Sequence, residues 1–546
     1  MTEPTLLWDD VRITYAGGNV AVDGVSLEVE RGGTVGLAGE SGCGKSTLAM
    51  SVLRLLPRSA RIEGRIVLQG EDVAGMTWGR LRAVRWTEAA IVFQGAMHSL
   101  NPVRQVRHQV AEALALHSTK EFPDSAARLR RVDELLALVD LSPAKGRAYP
   151  HELSGGQRQR VMIAMALACD PELIIADEPT TALDVVVQAQ VLDVLNGLVR
   201  DRELTLVMIS HDLAVLAAVC DRIVVMQHGR IVEQGKAQQI LTAPTHEHTQ
   251  ELAAAFPIIG DPSSRLVVGR NASPGSPGEA GVSTGSTAEA GRAVLEVRDL
   301  TVDFRSRGQH VRAVDHVDLT CGAGEIVALV GQSGSGKTTL ARTILGLQKP
   351  TSGQVLHEGK PLPHRRGALK AYRRQVQYVL QDPAASLNPK HTVYEAVAEG
   401  IRIHGLDDER ERVIRALTRA ELTPPEKFFA AIPQELSGGQ RQRVVIAGAL
   451  ALDPTYLVAD EPVASLDASV RGEILALLLQ LRRDLGLGAL VITHDLGLAW
   501  NIADRVVVMH RGRIVENGAV EQVLLDPQHD YTKSLLAVVP SKLGLR

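Results

Sequence analysis

One set of motifs occurs twice in this 546-residue chain, in nearly fixed register. Gly39-Glu40-Ser41-Gly42-Cys43-Gly44-Lys45-Ser46-Thr47 is answered by Gly331-Gln332-Ser333-Gly334-Ser335-Gly336-Lys337-Thr338-Thr339. The octapeptide L-S-G-G-Q-R-Q-R stands at Leu153–Arg160 and again at Leu436–Arg443. The acidic pairs Asp177-Glu178 and Asp460-Glu461 follow, and then His211 and His494. Lys45 and Lys337 lie 292 positions apart, whereas Ser154 and Ser437, the two glutamates, the two histidines, and His246 and His529 all lie 283 apart. The second copy is thus nine residues shorter before its serine and equal in length after it. A repeat of this kind specifies two like folded units, each long enough to bury its own core.

Composition narrows the partners. A formal charge of −4 provides no global basic field, and 3% aromatic residues leave few platforms for stacked bases, so nucleic acid is not an expected partner. The four cysteines, Cys43, Cys169, Cys220 and Cys321, have no metal-site spacing and read as reduced thiols. Met1-Thr2-Glu3-Pro4-Thr5 does not resemble a secretory signal, and no run reaches the 18 apolar residues of a membrane span. Work at a membrane would be done from its side.

Short apolar runs lead directly into the motifs. Thr34–Ala38 precedes the first glycine-rich loop, Leu173–Ala176 the first acidic pair and Leu206–Ile209 the first histidine; Glu325–Val330, Tyr456–Ala459 and Ala489–Ile492 repeat the arrangement. Such strands, separated by helical stretches, predict an α/β fold with a parallel sheet covered on both faces. Ligand sites in such sheets lie beyond the C-terminal strand ends. Leu129, Val132, Leu135, Leu136 and Val139 predict a helix over 126–141 in an insertion before the octapeptide. The expected division is a first domain over 1–260, a Gly/Ser/Pro-rich tether over 261–293, clearest from Asn271 to Ala293, and a second domain over 294–546. As a flexible coil, about 22 residues of tether would span roughly 25 Å.

The chemistry follows from residue types. Glycines let backbone N–H groups wrap phosphates, and the next helix adds its positive dipole end. Lys45 and Lys337 suit the β- and γ-phosphates, and Ser46 and Thr338 suit Mg²⁺. Asp177 and Asp460, at strand ends, suit a direct or indirect Mg²⁺ role, while Glu178 and Glu461 are placed to polarise a water. An Asp-Glu pair alone would read as a solvated turn; its coupling to a phosphate loop points to hydrolysis.

With L-S-G-G-Q beside a phosphate loop, the chain resembles the nucleotide-binding subunits of ATP-binding cassette (ABC) transporters over nearly all of both halves. The resemblance implies two tandem P-loop ATPase domains, each a mainly parallel sheet with a helical subdomain and an antiparallel β edge. It implies that Ser154, Gly155, Gly156 and Gln157 in one half, and Ser437, Gly438, Gly439 and Gln440 in the other, bind the γ-phosphate held by the opposite half. Gln94 and Gln381 would sense the γ-phosphate and Mg²⁺ and abut a membrane partner; His211 and His494 would contact the γ-phosphate. Asp184 in Ala182-Leu183-Asp184 and Asp467 in Ser465-Leu466-Asp467 would couple the halves. Tyr15 and Phe304 match the aromatic that stacks on adenine, the alternative being core aromatics.

A narrower resemblance, to ATPases of dipeptide and oligopeptide importers, comes from Ser99-Leu100-Asn101-Pro102, Ser386-Leu387-Asn388-Pro389 and the tails at Pro244-Thr245-His246 and Pro527-Gln528-His529-Asp530-Tyr531-Thr532. It implies the energy-coupling subunit of an importer at the cytoplasmic face of the inner membrane. Two permease subunits and an extracytoplasmic binding protein would be its partners. Nickel, glutathione and oligosaccharides are alternative cargoes. A soluble tandem ATPase acting on ribosomes or DNA is the alternative function, disfavoured by the nearly uncharged tether and the lack of zinc modules or long coiled coils. His246 and His248 read as surface residues, not metal ligands.

Overall fold

The computed structural model describes residues 3–93, 95, 99–181, 183–254, 259–266, 293–306, 309–363, 366–464 and 466–537. The chain divides into two compact units, Met1–Phe256 and Pro257–Arg546.

In the first unit, Ala89–Val92, Leu173–Asp177, Thr205–Ile209, Thr34–Ala38 and Arg222–Gln227 lie side by side in that order, all parallel, and Arg230–Lys236 closes the sheet antiparallel. Every residue of Thr34–Ala38, Leu173–Asp177 and Thr205–Ile209 is buried. Burial on both faces is why these strands read as unbroken apolar runs rather than alternating ones. The second unit repeats the order with Val376–Val379, Tyr456–Asp460, Gly488–Thr493, Ile326–Val330, Arg505–His510 and the antiparallel Arg513–Ala519.

Each unit also carries a four-stranded antiparallel sheet, built on Leu6–Thr14 in the first and on Ala293–Ser306 in the second. Leu6, Trp8, Val11 and Ile13 are buried while Asp9, Asp10 and Arg12 face solvent, the two-faced pattern of an antiparallel sheet. These are the mainly parallel core and antiparallel β edge expected from the sequence.

The helical insertion forms Val106–His117 and Ser125–Leu138 in the first unit, and Val393–His404 and Glu409–Arg419 in the second. Ser125–Leu138 starts where Asp124 caps Ala127 N and stops short of Leu141, because Asp140 takes a left-handed φ of 54°. The helix anticipated over 126–141 is therefore three residues shorter at its end. Val132, Leu135, Leu136 and Val139 are buried as the spacing requires.

Two expectations need correction. Residues 259–266, assigned from composition to the end of the first domain and the start of the tether, fold onto the second unit. The donors and acceptors that hold them lie more than 230 positions away, at Trp500, Asn501 and Ala503, so local composition carried no trace of them. Ala293, taken as the last tether residue, is the first of a β-strand. Positions 267–292 lie outside the described residues.

Candidate active site

The glycine-rich loops leave the C-terminal ends of Thr34–Ala38 and Ile326–Val330 and turn into the helices Lys45–Ser51 and Lys337–Ile344. Gly44 and Gly336 end the loops at φ 103° and 106°. A Cβ at either would stand 2.2 Å from a backbone oxygen, of Ala21 and Ala313 respectively. Only glycine satisfies both demands. Gly39 and Gly331 meet the same restriction against the carbonyls of Met226 and Met509. Gly42 and Gly334 carry positive φ with open space beside them. Ser41 and Ser333 are exposed at the loop crowns.

The lysines fold back across their own loops. Lys45 Nζ donates to the carbonyls of Gly39 and Glu40, both at 2.7 Å, and Lys337 Nζ to those of Gly331 and Gln332 at 2.6 and 2.8 Å. Thr47 Oγ1 pairs with Tyr15 Oη at 3.1 Å, which brings Tyr15 beside the first loop. Phe304 is 40% exposed and outside the core, against the alternative reading of a core aromatic.

The acidic pairs sit on neighbouring strands. Asp177 and Asp460 end fully buried strands, and burial raises both pKa values against the opposing pull of Ser46 and of Tyr378 and Thr338. Asp177 Oδ1 is buried without a hydrogen-bond partner, whereas Asp460 Oδ2 accepts from Tyr378 Oη at 3.0 Å. Among the described residues no cluster of three or more His, Cys, Asp or Glu is placed to hold a metal on side chains alone. One carboxylate beside a hydroxyl does fit a hard cation that shares phosphate oxygens.

Glu178 and Glu461 both adopt a left-handed φ of 47°, unusual for a non-glycine residue. Their amides donate to Ile209 and Ile492, which pins each glutamate to the strand that carries the histidine. His494 Nδ1 lies 2.8 Å from Glu461 Oε1, and Gln381 Nε2 donates to Oε2 at 2.8 Å. In the first unit the His211–Glu178 separation is 3.5 Å, and Thr181 Oγ1 donates to Glu178 Oε2 at 2.9 Å. Burial pushes both glutamates' pKa values up, but the adjoining histidine and the loop lysine more than reverse it, leaving both carboxyls below the ordinary value. Burial pulls His494 down, and Glu461 and Asp495 lift it above its ordinary value.

Ser154 and Ser437 are exposed N-caps of Gly155–Ala166 and Gly438–Leu450; each accepts from the amide three residues on, and Gln157 and Gln440 return the bond. Gly155 and Gly438 open these helices, and Gly156 and Gly439 are buried beneath Val187 and Val470. Asp184 caps Val185–Arg202 by accepting from Val187 N at 3.1 Å, and Asp467 stands at the start of Ala468–Leu485. Gln94, Ala182 and Ser465 lie outside the described residues.

Within each unit, strand order thus gathers the loop lysine, the acidic pair and the histidine at one sheet edge. The signature helices Gly155–Ala166 and Gly438–Leu450 belong to the same two units. Sequence reasoning missed Tyr378, and also Tyr531, whose hydroxyl accepts from the loop amide of Gln332 at 3.0 Å while its ring stacks on His510 at 3.9 Å. It also misplaced His248, which is buried at 4% exposure, with His246 Nδ1 capping its amide at 3.2 Å.

Comparisons agree with this chemistry. The family described as ABC transporter matches residues 22–181 and 314–464, and the C-terminal region of oligopeptide/dipeptide transporters matches 232–281. The glutathione import ATP-binding protein GsiA of Salmonella choleraesuis is 40% identical over 542 residues, covering 95% of this chain and 86% of its own. The protein of the same name from Escherichia coli K12 is 40% identical over 543 residues with the same coverage. Among solved structures, cbiO1 from Clostridium perfringens, part of the ABC transporter complex cbiONQ, is 32% identical over 43% of this chain and 92% of its own, with a TM-score of 0.40. With both loops, both acidic pairs and both signature helices in place, this chain belongs to the ABC transporter family as an ATP-hydrolysing subunit with two tandem nucleotide-binding domains.

Proposed function

We propose that the chain powers an importer of short peptides, with glutathione among the candidate cargoes, from the cytoplasmic face of the inner membrane. Its partners would be two permease subunits and an extracytoplasmic binding protein. The GsiA relatives and the peptide-transporter C-terminal region support the cargo class. Among the described residues no helix is long and apolar enough to cross a membrane, so the conduit would be supplied by other subunits. Phe93 and Val103, 39% and 79% exposed on either side of Gln94, and Leu380 beside Gln381, at 39%, offer apolar surface for them.

The observation that carries the hydrolytic reading is the Lys–Asp–Glu–His group at one sheet edge in each unit. Lys45 and Lys337 exchange loop carbonyls for β- and γ-phosphate oxygens, with backbone amides from Gly42, Gly44, Gly334 and Gly336 completing the cradle. Ser46 with Asp177 and Gln94, and Thr338 with Asp460 and Gln381, would hold Mg²⁺, which neutralises charge on the transferring phosphoryl group. Glu178 and Glu461, kept ionised by the neighbouring histidine and lysine, accept a proton from the attacking water. His211 and His494 orient that exchange and contact the γ-phosphate. Tyr15 and Phe304 stack on adenine. The capped N-termini at Ser154 and Ser437 suit an anion and serve the γ-phosphate of the opposite half, with Asp184 and Asp467 coupling the two.

Glu178→Gln and Glu461→Gln are each expected to lower ATPase turnover by about 10²–10⁴-fold, as loss of a general base does. Near-wild-type turnover in either refutes two hydrolytic sites. Tagged chain drawn from gently solubilised membranes should bring two polytopic proteins and a binding protein. Recovery of ribosomal proteins or nucleic acid in their place would overturn the importer reading and leave the ATPase chemistry standing.

A further inference from the structure

Residues 259–266 belong in sequence to the tail of the first copy; the transporter C-terminal region that begins at 232 runs through them to 281. In the structure they are part of the second unit. Trp500 Nε1 donates to Asp261 O and Ser264 Oγ, both at 3.2 Å. Leu266 N donates to Asn501 Oδ1 at 2.9 Å, and Arg265 donates to Ala503 O at 2.8 Å, pairs with Glu521 and covers the Trp500 ring with its guanidinium 5.6 Å from the centroid. Ile259 is buried and Leu266 packs on the second unit's apolar core. Both ends of the segment and its centre are therefore held.

The receiving surface is peculiar to the second copy. At the 283-residue offset, Trp500, Asn501, Glu521 and Leu525 correspond to Ala217, Ala218, Gln238 and Thr242. The first copy thus has no indole at 217, no side-chain amide at 218, no carboxylate at 238 and no leucine at 242, where the second has Leu525 beside Gly260, so the first unit could not hold such a segment in the same way.

We propose that 259–266 is a strap, a ligand carried by the first copy's tail for a dedicated surface on the second. The strap ties the chain that follows the first copy to the second unit from Ile259 onward.

Hydrogen exchange of the intact chain, followed peptide by peptide, tests this independently of any transport role. Amides of 263–266 should exchange at least tenfold more slowly than in a free peptide of the same sequence, since docked backbone is protected. Asn501→Ala, and separately Arg265→Ala on the strap itself, should each raise exchange at 263–266 by tenfold or more and leave the strands Ile326–Val330 and Gly488–Thr493 unchanged. Exchange of 263–266 in the native chain as fast as in the free peptide overturns the strap. So does protection that survives both substitutions. Because Arg265→Ala alters only the strap, loss of fold in the second unit cannot mimic the expected result.

Discussion

Gly156→Ala is a sharp test of how the signature helix is held. The added Cβ would stand 1.9 Å from Val187 Cγ1, against an ordinary contact of 3.4–4 Å. The valine sits half-buried in Val185–Arg202, where a β-branched side chain has one strongly preferred χ1, so it cannot simply swing aside. Overpacking of this kind costs about 1–3 kcal/mol, and replacing glycine by alanine in a helix returns about 1 kcal/mol. A net loss of up to about 2 kcal/mol follows, or up to roughly 8 °C in the melting transition of a unit this size. Scanning calorimetry of the full chain would read it. Val187→Ala in the same background should recover most of the loss, and Gly439→Ala, 2.4 Å from Val470 Cγ1, should cost less. Gly155→Ala, whose Cβ meets only Leu183 Cδ2 at 3.3 Å, should leave the transition in place while still lowering ATP turnover. A raised melting temperature for Gly156→Ala refutes the argument. So does a Gly156/Val187 cycle additive to within about 0.5 kcal/mol.

Other expectations concern the second unit. Tyr378→Ile removes the hydroxyl donated to Asp460 and gives the strand the residue that Ile91 supplies in the first copy; loss of a hydrogen bond to a charged group should destabilise the unit by about 1.5–3 kcal/mol, and the Mg²⁺ titration of ATPase activity should shift to lower concentration. An unchanged melt with an unchanged titration would refute it. The Glu461–His494 pair sets a pH window. Glu461 is held below its ordinary 4.5, so its contribution is present above that value and lost as pH falls through the lower folded pKa. His494 is held above its ordinary 6.5, so its contribution is full below 6.5 and lost as pH rises through the raised folded pKa. The stability difference between wild type and His494→Asn should therefore shrink on the alkaline side, as unfolding at pH 6 and pH 9 would show; a constant difference would refute the pairing.

What was legible in the sequence was whatever is fixed locally. The phosphate loops declare themselves because their glycines take positive φ at fixed spacing before the lysine, whatever distant carbonyl some of them then approach, and the buried parallel strands because both faces must be apolar. The pairings that tune the site were not legible. Tyr378 meets Asp460 across 82 positions, and Gln332 meets Tyr531 across 199. No periodicity encodes such meetings; they exist only once the sheet order has been chosen. The strap failed to show for the same reason. Asp261–Leu266 is polar and proline-bearing, like any tether, and its order comes from an indole and an amide on a distant helix.

The two copies keep one chemistry and differ in what surrounds it. Asp177 carries a buried Oδ1 with no hydrogen-bond partner, whereas Asp460 Oδ2 accepts from Tyr378, whose place in the first copy is taken by Ile91. A carboxylate oxygen that accepts from a phenol must share its lone pairs with any cation that arrives, and one with no donor need not. Duplication thus kept the Lys–Asp–Glu–His set in both halves while the neighbours of the aspartate diverged.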